Sequence, residues 1–202
     1  MQILQFGDEH IFSGIPSYSR PGGALAHKVS EIVLTQAQLA EGVARLAAEI
    51  DRDLAGRPVL LVGILKGSVF FLCDLARRLR SPVTVDFLRV SSYGDSTRSS
   101  GSVRMTRDLS IDVADRDVLV VEDIVDTGRT LEKILDFLRT RSPASLRVCT
   151  LLRKKGAGSA ATPVDYVGFE IDDRFVVGYG LDLAEAYRNL PYVAAIEEGD
   201  GE

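Results

Sequence analysis

Short aliphatic runs alternate along the chain with segments whose apolar residues recur every three or four positions. Thr35 is predicted to cap an amphipathic helix whose apolar face consists of Leu39, Val43, Leu46, Ala47 and Ile50. A second helix is predicted from about Ser68 to Leu79, with Phe70, Phe71, Leu75 and Leu79 facing inward. A third is predicted from about Thr130 to Arg141. These helices lie between apolar segments that are too short to be helices themselves.

The apolar segments predict strands at 59–65, 83–90, 118–121, 146–152, 164–171 and 175–177. Val118–Val121 contains four consecutive aliphatic residues, which is typical of a strand buried on both faces of a parallel sheet. Strands alternating with helices indicate right-handed crossovers and an α/β fold with an open, mostly parallel twisted sheet. Ligands of such sheets bind outside the carboxyl ends of the strands.

Two regions do not follow this alternation. Residues 1–30 are rich in turn residues and are predicted to form an irregular extension before a single domain at 31–202. Residues 91–101 are small or polar and show no apolar period. A loop of that length in a compact domain is usually functional or disordered.

The composition restricts the classes of function. The chain has 202 residues, is 46% hydrophobic and carries a formal charge of −5, which argues against non-specific nucleic-acid binding. We expect no membrane span and no signal peptide. Cys73 and Cys149 lack metal-ligand spacing and are expected to be buried thiols, which favours a cytoplasmic protein.

The most informative chemistry follows the strand at 118–121. Glu122 and Asp123 come directly after it, and Asp126-Thr127-Gly128-Arg129-Thr130 leads into the third helix. The N–H groups and the dipole of a helix N-terminus favour a phosphate, while the acids could meet ribose hydroxyls or a metal ion. This pattern favours a site for a phosphorylated sugar. The alternative is a plain strand-to-helix junction in which Asp126 or Thr127 caps the helix.

This segment resembles the phosphoribosyl-pyrophosphate signature of the type I phosphoribosyltransferases, and its wording is most similar to the hypoxanthine-guanine branch. The resemblance spans roughly residues 32–196 and implies that family's fold, with a small hood made from N- and C-terminal segments. It implies that Glu122 and Asp123 hold the ribose hydroxyls and that Asp126, Thr127, Gly128, Arg129 and Thr130 wrap the 5′-phosphate. It also places Asp126 near the purine as the catalytic residue.

Two more segments match the family. By resemblance, Lys66 and Gly67 form a pyrophosphate loop whose Lys-Gly peptide bond can be cis. Without the resemblance they would be an ordinary strand-to-helix turn. Ser92 and Tyr93 belong to a stretch that is similar to the family's mobile lid, at about 91–102. The alternative for that stretch is a solvated connection between two strands at the sheet edge.

The remaining matches concern the purine and the metal. Lys154 is implied to meet the purine 6-oxo group, although a slip of one residue would select Lys155. Phe175 is implied to stack on the purine and Val176 to contact its edge, whereas Phe175 alone would be assigned to the core. Asp182 is implied to bind Mg²⁺ together with Glu122 and Asp123, rather than to cap a helix. Arg188 is implied to bind pyrophosphate.

The resemblance thus implies transfer of 5-phosphoribosyl from phosphoribosyl pyrophosphate to N9 of hypoxanthine or guanine in purine salvage. The expected partners are these two substrates, with no nucleic acid and no membrane, and the expected assembly is a homodimer or homotetramer. Two alternatives stay open. One is an enzyme that prefers xanthine, and the other is a non-catalytic regulator of the same fold that senses phosphoribosyl pyrophosphate and binds nucleic acid.

Overall fold

The computed structural model describes residues 19–20, 23–24, 27–92, 103–156 and 163–198. They form three helices, α1 (Gln36–Leu54), α2 (Val69–Ala76) and α3 (Arg129–Arg139). The strands are β1 (Ser19–Arg20), β2 (Gly23–Ala24), β3 (His27–Leu34), β4 (Val59–Leu65), β5 (Val83–Ser92), β6 (Val103–Arg107), β7 (Asp117–Val125), β8 (Ser145–Lys154), β9 (Tyr166–Ile171), β10 (Val176–Val177) and β11 (Val193–Glu198).

The largest sheet has six strands in the order β6-β5-β4-β7-β8-β9. Five neighbouring strands are mutually parallel, in the order β5, β4, β7, β8 and β9. Strand β6 pairs with β5 as an antiparallel edge. This architecture confirms the predicted open and mostly parallel sheet flanked by helices. The edge strand β6 was not predicted, because its alternating polar sequence, VRMTR, lacks a continuous apolar run.

The sheet is buried on both faces because alternate residues of β4 and β7 enter different hydrophobic clusters. Leu61, Leu119 and Val121 pack with α1 and α2 on one face. Leu60, Val62, Val118 and Val120 pack with α3 on the other. Continuous aliphatic runs are therefore required, as expected for interior strands of a parallel sheet.

A second sheet is built from the two ends of the described chain. Its order is β10-β11-β3, and both pairings are antiparallel. The expected hood of N- and C-terminal segments corresponds to this sheet. Strands β3 and β11 were not predicted, and β3 lies partly in the stretch expected to be irregular.

The helices agree with the sequence pattern except in detail. Thr35 caps α1 in a capping box with Gln38. Helix α2 is shorter than predicted, and Phe70 is 44% exposed, so its inward assignment was wrong. Phe70 and Phe71 are about 100° apart around the helix, and only Phe71 reaches the core. Cys149 is buried as expected, whereas Cys73 is exposed.

The segment that precedes β7 is held to the sheet by one buried carboxylate. Asp86 of β5 is 4% exposed and accepts hydrogen bonds from the N–H groups of Phe87, Ser110 and Ile111 at 2.7–2.8 Å. Burial raises the pKa of Asp86, but these hydrogen bonds outweigh it, and the net pKa lies below its usual value. The carboxylate therefore stabilises the fold in its ionised form.

Replacing Asp86 with asparagine should destabilise the protein by about 2–3 kcal/mol near neutral pH, because buried N–H donors lose a charged acceptor. A lowered pKa in the folded state means that this contribution is present above the unfolded pKa of about 3.9 and is lost as the pH falls through the folded value. Urea unfolding of Asp86→Asn across this pH range checks both statements.

The control is Asp112→Asn, which changes an exposed aspartate that bonds only locally to the N–H of Ala114. It should change the unfolding free energy by less than about 1 kcal/mol. Equal losses in the two variants, or a loss at Asp86 that does not shrink in acid, would contradict the assignment.

Candidate active site

The predicted site residues meet at the carboxyl edge of the central sheet. Lys66 and Gly67 follow β4, Asp126 follows β7, and Lys154 ends β8. Because β4, β7 and β8 are adjacent and parallel, these three positions converge. Segments that are far apart in the sequence thus form one continuous surface at the carboxyl ends of the strands.

The two acids lie within β7 rather than after it. The pairing of β7 with β4 ends at Gly63 and Val121, whereas its pairing with β8 continues to Val125 and Arg153. On the side of β4, the strand therefore has no partner beyond Val121. The turn after β4 occupies the space this leaves, and a Cβ added to Gly67 would overlap the Asp123 carboxylate.

The carboxylates of Glu122 and Asp123 are unusually placed for charged groups. Burial, and then the negative charge of Asp123, raise the pKa of Glu122 well above its usual range. Burial also raises the pKa of Asp123, although hydrogen bonds with Glu122 and from the Ile124 N–H oppose the change. Oε2 of Glu122 is buried and makes no hydrogen bond within the described part of the chain. This oxygen is free to accept a hydroxyl or to approach a cation.

The phosphate-loop candidate runs from Asp126 to Thr130. Gly128 occupies the N-cap position of α3 at φ 74°, and no side chain caps the helix there. The alternative in which Asp126 or Thr127 serves as the cap is therefore wrong. Four residues of this loop are exposed, namely Asp126, Thr127, Arg129 and Thr130. As at the start of any α-helix, the first N–H groups of α3 have no acceptor within the helix.

The pyrophosphate candidates come from two distant parts of the chain. Lys66 Nζ lies 2.8 Å from Oε2 of Glu185, and Arg188 Nη2 lies 3.2 Å from the same oxygen. Arg188 Nη2 also lies 2.8 Å from Oδ1 of Asp182. Both predicted cations thus pair with Glu185, and Arg188 also pairs with Asp182. In the described stretch 163–198 no helix follows Asp182, so it is not a helix cap.

The backbone of this region differs from expectation at one point. The cis peptide bond joins Leu65 to Lys66, one position before the Lys66–Gly67 bond that we had considered. Gly180 lies against the same turn, and a Cβ added to Gly180 would overlap the carbonyl oxygen of Gly67.

The purine candidates lie on the other side of the phosphate loop. Nζ of Lys154 is 3.7 Å from Asp126 Oδ2 and 2.9 Å from Asp173 Oδ1, and its side chain is 15% exposed. Lys155 is directed away and pairs with Asp172 at 3.0 Å. This difference favours Lys154 over Lys155 for the purine contact.

Phe175 is 52% exposed, which contradicts its assignment to the core, while the adjacent Val176 is buried in β10. A large exposed aromatic ring beside a polar site is free to stack on a flat ligand.

Of the two lid candidates, Ser92 and Tyr93, only the backbone of Ser92 belongs to the described residues. Ser92 ends β5 opposite Val103 of β6, and the backbone is described there, but Tyr93 lies outside the described residues. Residues 93–102 therefore connect two neighbouring antiparallel strands, and their role as a lid stays a prediction.

Sequence reasoning missed three contributors to this site. Glu185 pairs with both predicted cations, Gly180 packs on the Lys66–Gly67 turn, and Asp173 pairs with Lys154. The two glycines around Tyr179, just before Asp182, were a usable signal for a close backbone approach. Glu185 had no such signal.

The described residues contain no group of three or more His, Cys, Asp or Glu side chains arranged to hold a metal ion. None of the helices in the described part of the chain is long and apolar enough to cross a membrane.

Comparison with known proteins gives consistent matches. The family described as "Phosphoribosyl transferase domain" matches residues 30–184. The hypoxanthine-guanine phosphoribosyltransferase of Mycobacterium avium is 47% identical over 185 residues, which cover 89% of this chain and 91% of that protein. The enzyme of the same name from Bacillus subtilis is 40% identical, with 86% and 96% covered.

Solved structures agree with these relatives. A hypoxanthine phosphoribosyltransferase from Staphylococcus aureus superposes with a TM-score of 0.80 at 42% identity, covering 84% of this chain and 92% of that one. The Trypanosoma cruzi enzyme, in complex with the product IMP, gives 0.77 at 37% identity, covering 83% and 94%. With this sheet order, these residues at its carboxyl edge and these relatives, the chain belongs to the phosphoribosyltransferase family, in its hypoxanthine-guanine branch.

Proposed function

We propose that the protein transfers 5-phosphoribosyl from phosphoribosyl pyrophosphate to N9 of hypoxanthine or guanine, which yields IMP or GMP and pyrophosphate for purine salvage. The observation that carries this proposal is the arrangement around Asp126. Its carboxylate lies 3.7 Å from the Lys154 ammonium and is directly followed by the loop that opens α3. A site for a phosphorylated sugar and a cation suited to a 6-oxo group therefore adjoin. Relatives named for this activity cover most of the chain.

The ribose phosphate would bind along β7 and the start of α3. Glu122 and Asp123 would accept the ribose hydroxyls, because both are partly buried and Oε2 of Glu122 makes no hydrogen bond within the described residues. Asp126, Thr127, Gly128, Arg129 and Thr130 would surround the 5′-phosphate. N–H groups and the dipole at the N-terminus of α3 favour that charge.

The base would lie between Lys154 and Phe175. Lys154 would donate a hydrogen bond to the 6-oxo group, which favours hypoxanthine or guanine over adenine, whose 6-amino group is itself a donor. Phe175 would stack on the purine and Val176 would contact its edge through the backbone. Asp126 would act as the catalytic residue by taking a proton from the purine or by stabilising its developing charge.

Pyrophosphate would leave toward Lys66, Gly67 and Arg188. Mg²⁺ typically uses one or two carboxylates together with substrate phosphates, which fits a site without a preformed cluster of three acids in the described residues. Asp182, Glu122 and Asp123 are the candidate protein ligands, of which one or two would hold the ion at a time, and the unpaired oxygen of Glu122 fits this role. When bound, the ion would neutralise charge on the leaving group.

The segment at about 91–102, with Ser92 and Tyr93, would close over this site and exclude water, which would otherwise trap the reactive ribose. We further propose that the protein is cytoplasmic and forms a homodimer or homotetramer. A xanthine preference is the nearest alternative, since contacts to the purine 2-position come largely from backbone atoms. A nucleic-acid-binding regulator fits less well, because the chain carries a formal charge of −5.

Activity with each base separates these functions. The protein, Mg²⁺ and phosphoribosyl pyrophosphate are incubated with hypoxanthine, guanine, xanthine or adenine, and released pyrophosphate is measured. We expect turnover with hypoxanthine or guanine and at most weak turnover with adenine. A protein that prefers xanthine supports the alternative, and one that releases no pyrophosphate with any base is not an enzyme of this kind.

Replacing Asp126 with asparagine should lower turnover on the order of 10²- to 10⁴-fold, the usual contribution of a positioned acid or base. Affinity for phosphoribosyl pyrophosphate should change far less. Steady-state kinetics and calorimetry give the two quantities. Asp136→Asn changes an exposed aspartate of α3 that pairs with Arg139, and it should leave both quantities unchanged. Turnover near the wild-type value in Asp126→Asn would remove Asp126 from the catalytic role.

Replacing Gly180 with alanine should abolish most activity, because its Cβ would overlap the Gly67 carbonyl and push the two pyrophosphate segments apart. Gly56→Ala is the matched control. Gly56 also has a positive φ, of 82°, but a Cβ there would have no neighbour within 4 Å. Both variants place a side chain at a positive φ, which is 108° at position 180, so backbone strain is common to them and the steric contact is the main difference. Equal turnover in the two variants would show that the close approach is not required.

A further inference from the structure

Residues 178–190 fold back on themselves and carry both Asp182 and Arg188. The N–H of Tyr179 donates to the Leu190 carbonyl at 2.8 Å, and the N–H of Gly180 donates to the Arg188 carbonyl at 2.9 Å. Tyr179, Ala184, Glu185 and Tyr187 have positive φ, four of the seven such non-glycine residues in the described chain. These backbone angles are unfavourable for L residues and persist where surrounding contacts impose them.

Polar contacts of Glu185 and Tyr179 connect this segment with the turn and helix that follow β4. Lys66 pairs with Glu185, but their side chains are 46% and 64% exposed, and water screens such pairs. The hydroxyl of Tyr179 donates to Oδ2 of Asp74 on α2 at 2.6 Å, in a partly buried setting. A short hydrogen bond to a carboxylate is the stronger type. The Tyr179–Asp74 bond is therefore a stronger connection between the two segments than the Lys66–Glu185 pair.

Gly180, which follows Tyr179, connects this hydrogen bond with the residues proposed to bind pyrophosphate. Gly180 packs on the Gly67 carbonyl, and its own carbonyl accepts a hydrogen bond from Arg188 Nη1 at 2.7 Å. Arg188 in turn holds Asp182 at 2.8 Å through Nη2. A shift of Tyr179 relative to α2 would move Gly180, and with it Arg188 and Asp182, away from Gly67.

We propose that Tyr179 and Asp74 are positioning residues for the pyrophosphate half of the substrate, an inference that rests on the proposed phosphoribosyl transfer. Neither residue contacts the reacting atoms. Their hydrogen bond fixes the distance between the turn that contains Gly67 and the segment that contains Asp182 and Arg188. On the purine side, Lys154 pairs instead with Asp126 and Asp173.

Tyr179→Phe removes the hydroxyl and keeps the ring. The KM for phosphoribosyl pyrophosphate should rise roughly ten- to a hundredfold, because a misplacement of about 1 Å can cost on the order of 10²-fold. The KM for the purine should stay within about twofold. Calorimetry with magnesium and inorganic pyrophosphate should show the same weakening. The fold should persist, since Tyr187 and Leu190 anchor the segment in a hydrophobic cluster with Val29, Val177 and Ala194.

The chain offers a matched control. Tyr166 is a buried tyrosine whose hydroxyl donates to Oδ2 of Asp53 at 2.8 Å, the same chemical pairing. Tyr166 is the first residue of β9, so it lies at the amino ends of the parallel strands, whereas the site lies at their carboxyl ends. Tyr166→Phe should lower the melting temperature without changing the KM for phosphoribosyl pyrophosphate. This comparison separates the loss of a tyrosine–aspartate bond from the loss of positioning.

A double-mutant cycle tests whether Tyr179 acts through Asp74. Asp74→Asn should raise the same KM, and the variant with both changes should be no worse than the worse single variant, because residues of one interaction are not additive. Arg77→Ala is the control for the ion pair that Asp74 also makes with Arg77, and it should leave the KM unchanged.

The outcomes are distinct. Wild-type turnover together with an unchanged pyrophosphate affinity in Tyr179→Phe would overturn this inference and leave the proposed function standing. Fully additive effects of Tyr179→Phe and Asp74→Asn would also overturn it. A wild-type protein that neither binds pyrophosphate nor turns over any base would overturn the proposed function and this inference with it.

Discussion

The site depends on the point at which two adjacent parallel strands stop pairing. Strands β4 and β7 separate after Gly63 and Val121, while β7 continues beside β8. That separation exposes the edge of β7 to the turn after β4, and the Asp123 carboxylate then occupies the place that a side chain at position 67 would need. Gly180 packs on the other side of the same turn. Three distant segments thus meet at this turn. Gly180 approaches the backbone carbonyl of Gly67, and the side chain of Asp123 fills the space beside Gly67.

Electrostatics divides the site into halves of different character. Glu122 and Asp123 are partly buried carboxylates whose pKa values are raised by desolvation, so they benefit from any ligand that brings hydroxyl donors or positive charge. Lys66, Lys154 and Arg188 are instead paired with Glu185, Asp173 and Asp182. The Lys66–Glu185 pair is exposed enough for a substrate phosphate to compete with it. The arrangement favours a ligand that carries both hydroxyls and phosphates.

The sequence predicts this molecule well where a single local pattern determines the structure. The aliphatic runs predict β4 and β7, and the spacing after Thr35 predicts α1 with its cap. Strands β3, β6 and β11 were missed because their pairing partners are far away or their pattern is polar. Helix α2 was predicted to be longer than it is. Phe70 was predicted to face the core because it is hydrophobic, but hydrophobicity alone does not specify the face of a helix on which a residue lies. Contacts such as Lys66–Glu185 and Tyr179–Asp74 join residues more than a hundred positions apart, which no local pattern reveals.

The central claim is that Glu122 and Asp123 form the receptor for the ribose of phosphoribosyl pyrophosphate. Equilibrium binding of phosphoribosyl pyrophosphate with Mg²⁺, measured by calorimetry on the wild type and on the Glu122→Gln/Asp123→Asn double variant, tests it most directly. We expect the folded variant to bind at least roughly tenfold more weakly, since hydrogen bonds to a charged group contribute about 1.5–3 kcal/mol. Equal affinity in the two proteins would contradict it.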